Sequence, residues 1–321
     1  RLSKIEGYET LSVFELTAAI AFVAFYEKSA DFTLLEVGLG GRLDASNVIK
    51  NPLLSVITTI DYDHQNFLGN TLTQIAYEKA AIIKRNGTAI TDYQDKSVLR
   101  AIKKYARHMQ AALFCGGEDY QLNGNVLSYQ NKKITLPQLP LLGAHQYYNV
   151  STAIVSCINI LKDKFDYDNL DTYLAKTAWA GRLQKVDSLY GVNFRKTSLF
   201  LDGAHNVSGS KALCGFIDGY ESATNIHIFL GMLKKKDLDG FLANIAALKD
   251  RFNIVIYPLE IDGHESYAAE EILQKAREHN LNGNPVNLSK KLAEIEDSTG
   301  KNLIIICGSL YLLGKVLGDN L

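Results

Sequence analysis

Apolar runs with a strand-like pattern recur along this chain, and segments with helical periodicity separate most of them. The six runs lie at residues 32–37, 53–58, 199–201, 226–230, 253–257 and 303–307. Strands that alternate with helices favour crossover connections, mostly parallel sheets covered on both faces, and ligand sites at the carboxyl ends of the strands. The pattern therefore predicts an α/β protein.

Two segments differ from this alternation. Between residues 114 and 136, short polar and apolar runs surround a turn signal at Asn123, Gly124 and Asn125. This combination predicts a β-hairpin insertion with a small antiparallel patch. Nearer the start of the chain, the pattern of residues 11–25 predicts a buried helix.

The length of 321 residues, with 47% hydrophobic and 21% charged residues, predicts a globular protein with two cores. A helix rich in small and apolar residues is predicted at residues 149–161, and the loop at residues 179–182 leads into a new series of strands and helices. We therefore place a domain boundary near Gly181, which gives a first domain of residues 1–180 and a second of residues 181–321.

The charge balance and the cysteines narrow the choice of partners and location. With 34 basic and 35 acidic residues, the net charge of -1 gives no electrostatic reason to expect nucleic acid or a membrane surface as a partner, so small molecules are favoured. No apolar run approaches the roughly 18 residues that span a bilayer, and there is no signal-peptide pattern. The four cysteines show neither CxxC nor zinc-ligand spacing, so we expect a cytoplasmic protein.

The first chemically informative stretch is LEVGLGGRLDASNVI, residues 35–49, in which an acid ends a predicted strand and a glycine-rich turn follows. Its glycines do not form G-x-G-x-x-G, which argues against a dinucleotide site. Taken alone, Glu36 could be a strand-end carboxylate with a local hydrogen bond. Whether Glu36 has a functional role therefore depends on a second stretch of the sequence.

In that second stretch, residues 55–84, Asp63 and His64 follow a predicted strand and Lys79 lies on the next predicted helix. Glu36 and His64 are both predicted at the ends of neighbouring strands, where a carboxylate and an imidazole could share one divalent ion. The alternatives are a structural histidine and a lysine on a solvated helix face.

Polar side chains mark two later helix starts. His145 and Asn149 follow a glycine-containing turn, where they could also cap the helix. The stretch LFLDGAHNVSGSKAL is a predicted strand that ends in Asp202 and opens into a helix, and helix N-termini favour phosphate-like groups. Capping by Asp202 and Asn206 is the structural alternative.

Six motifs, in order and with intact spacing, resemble those of the folylpolyglutamate synthase and dihydrofolate synthase family. They are LEVGLGGRLDASNVI, DH..FLGNTL.QIA.EKA.IIK, LLGAHQ..N, GRL, LDGAHN and GSLYL. The resemblance covers nearly the whole chain. It implies a mostly parallel, mononucleotide-binding central domain of the Mur ligase type and a smaller Rossmann-like C-terminal domain.

The resemblance also implies roles for residues of the first domain. Glu36 and His64 match magnesium ligands, and Lys79 matches a lysine that is carbamylated in this family. A carbamate would convert this cation into an anion able to support a second divalent or monovalent cation, and a lysine of lowered pKa reacts more readily with carbon dioxide. Asp44 and Ala45 match the pattern of bifunctional members and are expected near the substrate.

Four further residues match nucleotide contacts of the family: Asn149, Arg182, Asp202 and His205. An arginine suits phosphate because its planar guanidinium binds two oxygens without risk of deprotonation. The hinge around Arg182 departs from the family pattern, with Gln184 where glutamate is common. The string LDGAHN separates the chain from related Mur ligases.

One family motif is missing from this sequence. The phosphate-binding loop GTNGKGS, expected on the order of a hundred residues before LEVGLGG, does not occur, and the sequence begins at Arg1. We expect an N-terminally incomplete copy whose first sheet lacks its opening strand and helix and exposes apolar surface. The 321-residue chain is then expected to be inactive.

For the intact protein, the resemblance implies a monomeric ligase that uses ATP and Mg²⁺ to add L-glutamate to a folate, to dihydropteroate, or to both. An acyl phosphate would be the intermediate, with ADP and phosphate as products. The alternatives are a catalytically inactive fragment and a Mur-type ligase acting on a peptidoglycan precursor.

Overall fold

The computed structural model describes residues 8–222 and 224–318. Its α-helices are α1 (Val13–Glu27), α2 (Gln65–Leu68), α3 (Leu72–Ala80), α4 (Lys96–His108), α5 (His145–Leu161), α6 (Leu170–Ala175), α7 (Val207–Ile217), α8 (Leu238–Ala246), α9 (Ala269–Glu278), α10 (Leu288–Asp297) and α11 (Leu310–Gly318). No helix within the described ranges has both the length and the apolar character needed to cross a membrane.

The strands are grouped in four sheets, and the sequence-based expectation of an α/β protein is confirmed. The strands are β1 (Ser55–Ile57), β2 (Thr88–Thr91), β3 (Ala112–Cys115), β4 (Tyr120–Asn123), β5 (Val126–Tyr129), β6 (Lys132–Thr135), β7 (Gln184–Val186), β8 (Ser188–Leu189), β9 (Val192–Asn193), β10 (Ser198–Asp202), β11 (Asn225–Leu230), β12 (Asn253–Pro258), β13 (Asn282–Gly283) and β14 (Asn302–Cys307).

The chain forms two compact units. The first extends to Asn123 and includes Leu127–Ile134 and Ser151–Phe165, and the second contains Gly124–Val126, Thr135–Val150 and the chain from Asp166 onward. The domain boundary near Gly181 stays a prediction.

The first unit is built on a parallel three-stranded sheet in the order β1, β2, β3. Helices α3 and α4 follow β1 and β2 and contribute to a common core. The capping box of α3 fixes where that helix begins, because Thr71 accepts from the Gln74 amide and the Gln74 side chain accepts from the Thr71 amide. Ile75, Ala76 and Ala80 of α3 are fully buried, which holds the opposite face of the helix in a defined orientation.

The predicted hairpin insertion is confirmed as the three-stranded sheet β4, β5, β6. Gly124 has φ +60° in the two-residue turn between β4 and β5, a conformation that costs glycine little. Such short connections join antiparallel strands.

The second unit is built on a six-stranded sheet in the order β13, β12, β11, β14, β10, β7. Every pairing is parallel except that of β7 with β10. Alternate side chains enter two different cores: Ile226 and Ile228 face one, while Phe229 faces the other. A sheet covered on both faces explains why β14 is buried along its whole length and apolar after Asn302.

Residues 32–37 do not form the predicted strand. Phe32 and Leu34 are 55% and 95% exposed, and the described residues provide no strand that pairs with this segment. An isolated run cannot stay as a strand without a neighbour for its backbone hydrogen bonds. The expectation that Glu36 ends a strand beside β1 is therefore wrong.

The predicted early helix forms as α1, but it is not buried. Ser12 and Glu15 make a capping box that starts the helix, with the Glu15 carboxylate 2.8 Å from the Ser12 amide. No residue of α1 is buried, although Phe14 packs against Gly38, where an added Cβ would lie 2.3 Å from the Phe14 ring. Burial of a helix depends on other segments that cover it, and the helical pattern alone cannot predict them. No layer of the described residues covers α1.

Glu296 on α10 ties the turn before β10 to the rest of the second unit. Its buried carboxylate accepts from the amides of Arg195, Lys196 and Thr197 at 2.9, 3.0 and 3.1 Å. Burial raises the pKa of the Glu296 carboxyl, but these hydrogen bonds outweigh burial and leave the pKa below its ordinary value.

Replacing Glu296 with glutamine is expected to lower the free energy of unfolding by about 1–3 kcal/mol at pH 7, because the amide leaves a buried donor unsatisfied. The deficit should shrink below about pH 4, since a carboxylate with a depressed pKa loses its stabilising effect as pH falls through that pKa. Urea unfolding at both pH values measures this. Glu294→Gln, at an exposed position paired with Lys291, is the control. An equal deficit in both variants, or one independent of pH, contradicts the prediction.

Candidate functional site

The glycine-rich turn of LEVGLGG packs directly on helix α3. Gly41 has φ +157°, and an added Cβ there would lie 2.7 Å from the Glu78 carbonyl oxygen and 3.3 Å from the Cα atom of Lys79. The Arg42 amide donates to that carbonyl at 3.0 Å, and the Arg42 guanidinium pairs with the Glu78 carboxylate at 3.0 Å. The absence of a side chain at Gly41 therefore allows the turn to approach the backbone of Lys79.

Asp44 closes this turn, and Ala45 begins a short 3-10 helix that ends at Val48. The Asp44 carboxylate accepts from the amides of Leu39 and Ser46 at 2.8 and 2.9 Å. Burial raises the pKa of Asp44, but the hydrogen bonds from Ser46 and the backbone together lower it by more, so the pKa lies below its ordinary value. The visible role of Asp44 is to shape the loop, and a substrate contact of Asp44 or Ala45 stays a prediction.

Lys79, Asp63 and His64 meet beside this loop. Burial lowers the pKa of the half-buried Lys79 amine, and the nearby Asp63 carboxylate opposes that shift. Asp63 Oδ1 lies 3.8 Å from Nε2 of His64 and accepts from the His64 amide at 2.8 Å. The structure thus places the predicted lysine in a confined position near the Asp-His pair.

Glu36 lies in the irregular segment before the glycine-rich turn. Its side chain is exposed and makes no hydrogen bond or ion pair with residues 8–222 or 224–318. The structure therefore joins His64 and Lys79 through Asp63 but shows no such link to Glu36. A shared cation for Glu36 and His64 stays a prediction.

The donor chemistry of these residues can be compared with that of Mg²⁺. Among the described residues, no three His, Cys, Asp or Glu side chains are grouped to hold a metal ion. Mg²⁺ usually takes only one or two carboxylates from a protein and completes its shell with water and phosphate. Glu36, Asp63 and His64 fit a phosphate-bound ion of this kind and do not fit an all-protein metal cage.

In the second unit, Asp202 lies at the carboxyl end of β10 and organises two loops. Its buried carboxylate accepts from the amides of Leu183 and Ala204, both at 2.8 Å. Burial raises the pKa of Asp202 above its ordinary value, although those amides and the nearby Arg182 partly offset the shift. Asp202 therefore joins the GRL segment to LDGAHN.

His145, Gln146 and Asn149 form a chain of side chains at the start of α5. The Asn149 amide donates to the Gln146 side chain at 3.1 Å, and the Gln146 amide donates to Nε2 of His145 at 3.0 Å. Burial lowers the pKa of His145, while Asp202 raises it and Arg182 lowers it. His145 therefore connects Asn149 to the Asp202 cluster. The sequence alone indicated no role for His145 other than capping the helix.

Arg182 and His205 both contact the backbone around Gly203. One Arg182 nitrogen would lie 2.5 Å from a Cβ added at Gly203, and it donates to the Gly181 carbonyl at 3.2 Å. Nδ1 of His205 donates to the Gly203 carbonyl at 2.7 Å. Gly203 thus lets the guanidinium lie against the LDGAHN loop.

Gln184, a departure from the family pattern, also shapes this region. Its side chain accepts from the Gly181 amide at 3.0 Å, and the Gly181 carbonyl accepts from the Gly203 amide at 2.7 Å. Gln184 therefore holds the loop that carries Arg182, and no glutamate is needed at this position for that contact. The four predicted nucleotide residues of the second unit lie in one connected network, although their contact with nucleotide stays a prediction.

Two family descriptions divide the chain between them. Residues 8–157 match the Mur ligase middle domain, and residues 184–319 match the C-terminal domain of dihydrofolate synthetase. The fold and the two matches define a ligase-type α/β protein related to the Mur enzymes.

Relatives make the assignment more specific. The chain is 32% identical to a dihydrofolate synthetase of Saccharomyces cerevisiae, covering 95% of this chain and 74% of the relative. It is 30% identical to a dihydrofolate synthase/folylpolyglutamate synthase of Bacillus subtilis, covering 94% and 71%. It is 26% identical to a Mycobacterium tuberculosis folylpolyglutamate synthase solved with ADP, with a TM-score of 0.82 over 96% of this chain and 72% of that structure. The chain belongs to the dihydrofolate synthase and folylpolyglutamate synthase family.

Proposed function

We propose that the protein is an ATP-dependent ligase that joins L-glutamate to a folate, to dihydropteroate, or to both. The observation that carries the proposal is the convergence of Asn149, Arg182 and His205 around the buried Asp202 in one unit. ADP in a related folylpolyglutamate synthase supports ATP as the substrate.

In the proposed reaction, the acceptor carboxylate attacks the γ-phosphorus of ATP, the bond to the bridging oxygen breaks, and ADP leaves. The amine of glutamate then attacks the acyl phosphate, which releases phosphate and a proton and forms the amide. Arg182 stabilises the charge on the transferring group. When Mg²⁺ is bound, it neutralises phosphate charge, with Glu36, Asp63 and His64 as the residues that would hold it.

The test is glutamate-dependent ADP release by the full-length gene product, with dihydropteroate and a reduced folate supplied separately as acceptors. ADP release that requires both glutamate and an acceptor supports the proposal, and comparison of the two acceptors assigns the activity. ATP turnover that ignores both substrates contradicts it.

A second candidate is a nucleotide-binding protein without ligase activity. It is favoured by one observation, namely that residues 1–321 do not contain the phosphate-binding loop GTNGKGS. Binding of ADP without glutamate-dependent ADP release, in the full-length gene product, supports this candidate over the ligase. For the polypeptide of residues 1–321 by itself, we infer that no ligation occurs.

Substitution of His64 tests the proposed magnesium role. His64→Ala should lower turnover by about a hundredfold, because it removes a group that stabilises charge in the transition state. Its stability should change little, since the side chain is 39% exposed. Steady-state kinetics and thermal unfolding measure the two effects, and Glu36→Ala should behave in the same way. His264→Ala, at an exposed position in the second unit, is the control. A loss of activity that merely parallels a loss of folded protein contradicts the assignment.

A further inference from the structure

Two loops that follow β1 and β2 are cross-linked by the side chain of Gln94. Its amide nitrogen donates to the Thr58 carbonyl at 2.8 Å, and its oxygen accepts from the Ile60 amide at 2.9 Å. The same nitrogen also lies 3.0 Å from the Thr91 hydroxyl. One side chain therefore binds both a donor and an acceptor of a loop more than thirty residues earlier in the chain.

Asp92 makes a second cross-link at the same place. It is fully buried, accepts from the Thr59 hydroxyl at 2.9 Å and accepts from the Tyr93 amide at 2.7 Å. Its own amide donates to the Ile57 carbonyl at 2.9 Å. A buried carboxylate is costly unless it is hydrogen-bonded, so the Asp92 carboxylate favours a fixed position for the Thr59 side chain.

The loop held in this way leads directly to the candidate site. Ile60 is followed by Asp61, whose carboxylate accepts from the Tyr62 amide at 2.8 Å, and then by Asp63. His64 has φ +52°, in the left-handed region that is unfavourable for a residue with a Cβ atom. Such a conformation persists only where the surrounding structure holds it.

We propose that Asp92 and Gln94, called here the loop clamp, are positioning residues for Asp63 and His64. The clamp fixes residues 58–60, so that the next residues reach α3 with Asp63 beside the Lys79 amine and with His64 in its left-handed conformation. This inference rests on the proposed ligase function for its kinetic consequence. The ordering of residues 58–64 is its direct, activity-independent consequence.

The test uses Gln94→Met in the full-length gene product, because methionine keeps the length of the side chain and removes its three hydrogen bonds. Hydrogen exchange of the amides in residues 58–64 should accelerate by about tenfold. The apparent KM for Mg²⁺ should rise by about tenfold, while the KM for glutamate changes less than twofold. Gln94→Glu keeps the acceptor for Ile60 and should restore part of both properties.

Asn159→Leu is the matched control. The Asn159 side chain likewise makes partly buried hydrogen bonds in the first unit, to the Val155 carbonyl at 2.7 Å and to the Tyr129 hydroxyl at 2.8 Å, but it lies on α5. The Asn159→Leu substitution should lower the melting temperature about as much as Gln94→Met does, without changing the hydrogen exchange of residues 58–64 or the KM for Mg²⁺.

Unchanged exchange of residues 58–64 in Gln94→Met overturns the inference, as does a parallel rise of the KM values for Mg²⁺ and glutamate. If Gln94→Met does not fold, Asp92→Asn gives the same measurements under the same criteria. If the wild-type protein forms no ADP with glutamate and an acceptor, the proposed function fails, and hydrogen exchange alone decides whether the clamp orders the loop.

Discussion

Lys79→Ala is expected to lower glutamate-dependent ADP formation by about a thousandfold, and added formate or acetate is expected to restore part of the loss. Burial lowers the pKa of the Lys79 amine, although the Asp63 carboxylate opposes this effect. A lower pKa raises the fraction of neutral amine, which can attack carbon dioxide and release a proton to give a carbamate. Because a carbamate presents two oxygens in place of a cation, a small carboxylate in the space left by alanine can partly replace it.

Lys84→Ala is the matched control for Lys79. Burial also lowers the pKa of Lys84, which follows the same helix, but its amine donates to the Asn47 carbonyl at 3.1 Å and pairs with no carboxylate of the described residues. Activity should fall less than threefold in this variant, and formate should have no effect. Equal losses in the two variants would show that a buried lysine matters only for packing. A Lys79→Ala enzyme that keeps a third of its activity would exclude a carbamate role.

The contrast between β14 and residues 32–37 shows which parts of this fold can be predicted locally. Both are short apolar runs, but β14 is buried along its length between two cores, whereas Leu34 is 95% exposed. A parallel strand buried on both faces is a continuous apolar run in the sequence, so its local signal agrees with its surroundings. Whether an apolar run finds a neighbour depends on distant segments, and the sequence pattern contains no information about that.

The same distinction applies to the site. Asp202 and Lys79 could be found because each lies in a motif whose order and spacing identify the family. Gln94 and Asp92 could not, because polar residues after a strand usually mark an ordinary turn. Their significance comes from hydrogen bonds to Thr58, Thr59 and Ile60, which are 33 to 36 residues away. Long-range hydrogen bonds of this kind become visible only in the fold.

Arg182→Lys is expected to lower turnover by about a hundredfold, although the substitution keeps the positive charge. The Arg182 guanidinium lies against Gly203, and Asp202 is close enough for the two charges to influence each other. A planar guanidinium can bind two phosphate oxygens at a fixed angle, whereas an ammonium group acts as a point charge on a flexible chain. The transferring phosphoryl group needs that fixed orientation, so kcat should fall more than affinity for ADP.

Arg195→Lys provides the same chemical change at an exposed position of the second unit, where the backbone amide of Arg195 is bound by Glu296. It should leave kcat within twofold of the wild type. Single-turnover measurement of ADP formation and calorimetric titration with ADP separate the chemical step from binding in both variants. If Arg182→Lys weakens ADP binding as much as it slows turnover, Arg182 contributes uniform binding and does not act on the transferring group. If Arg182→Lys is as active as Arg195→Lys, the charge alone is sufficient and the planar contact with phosphate is excluded.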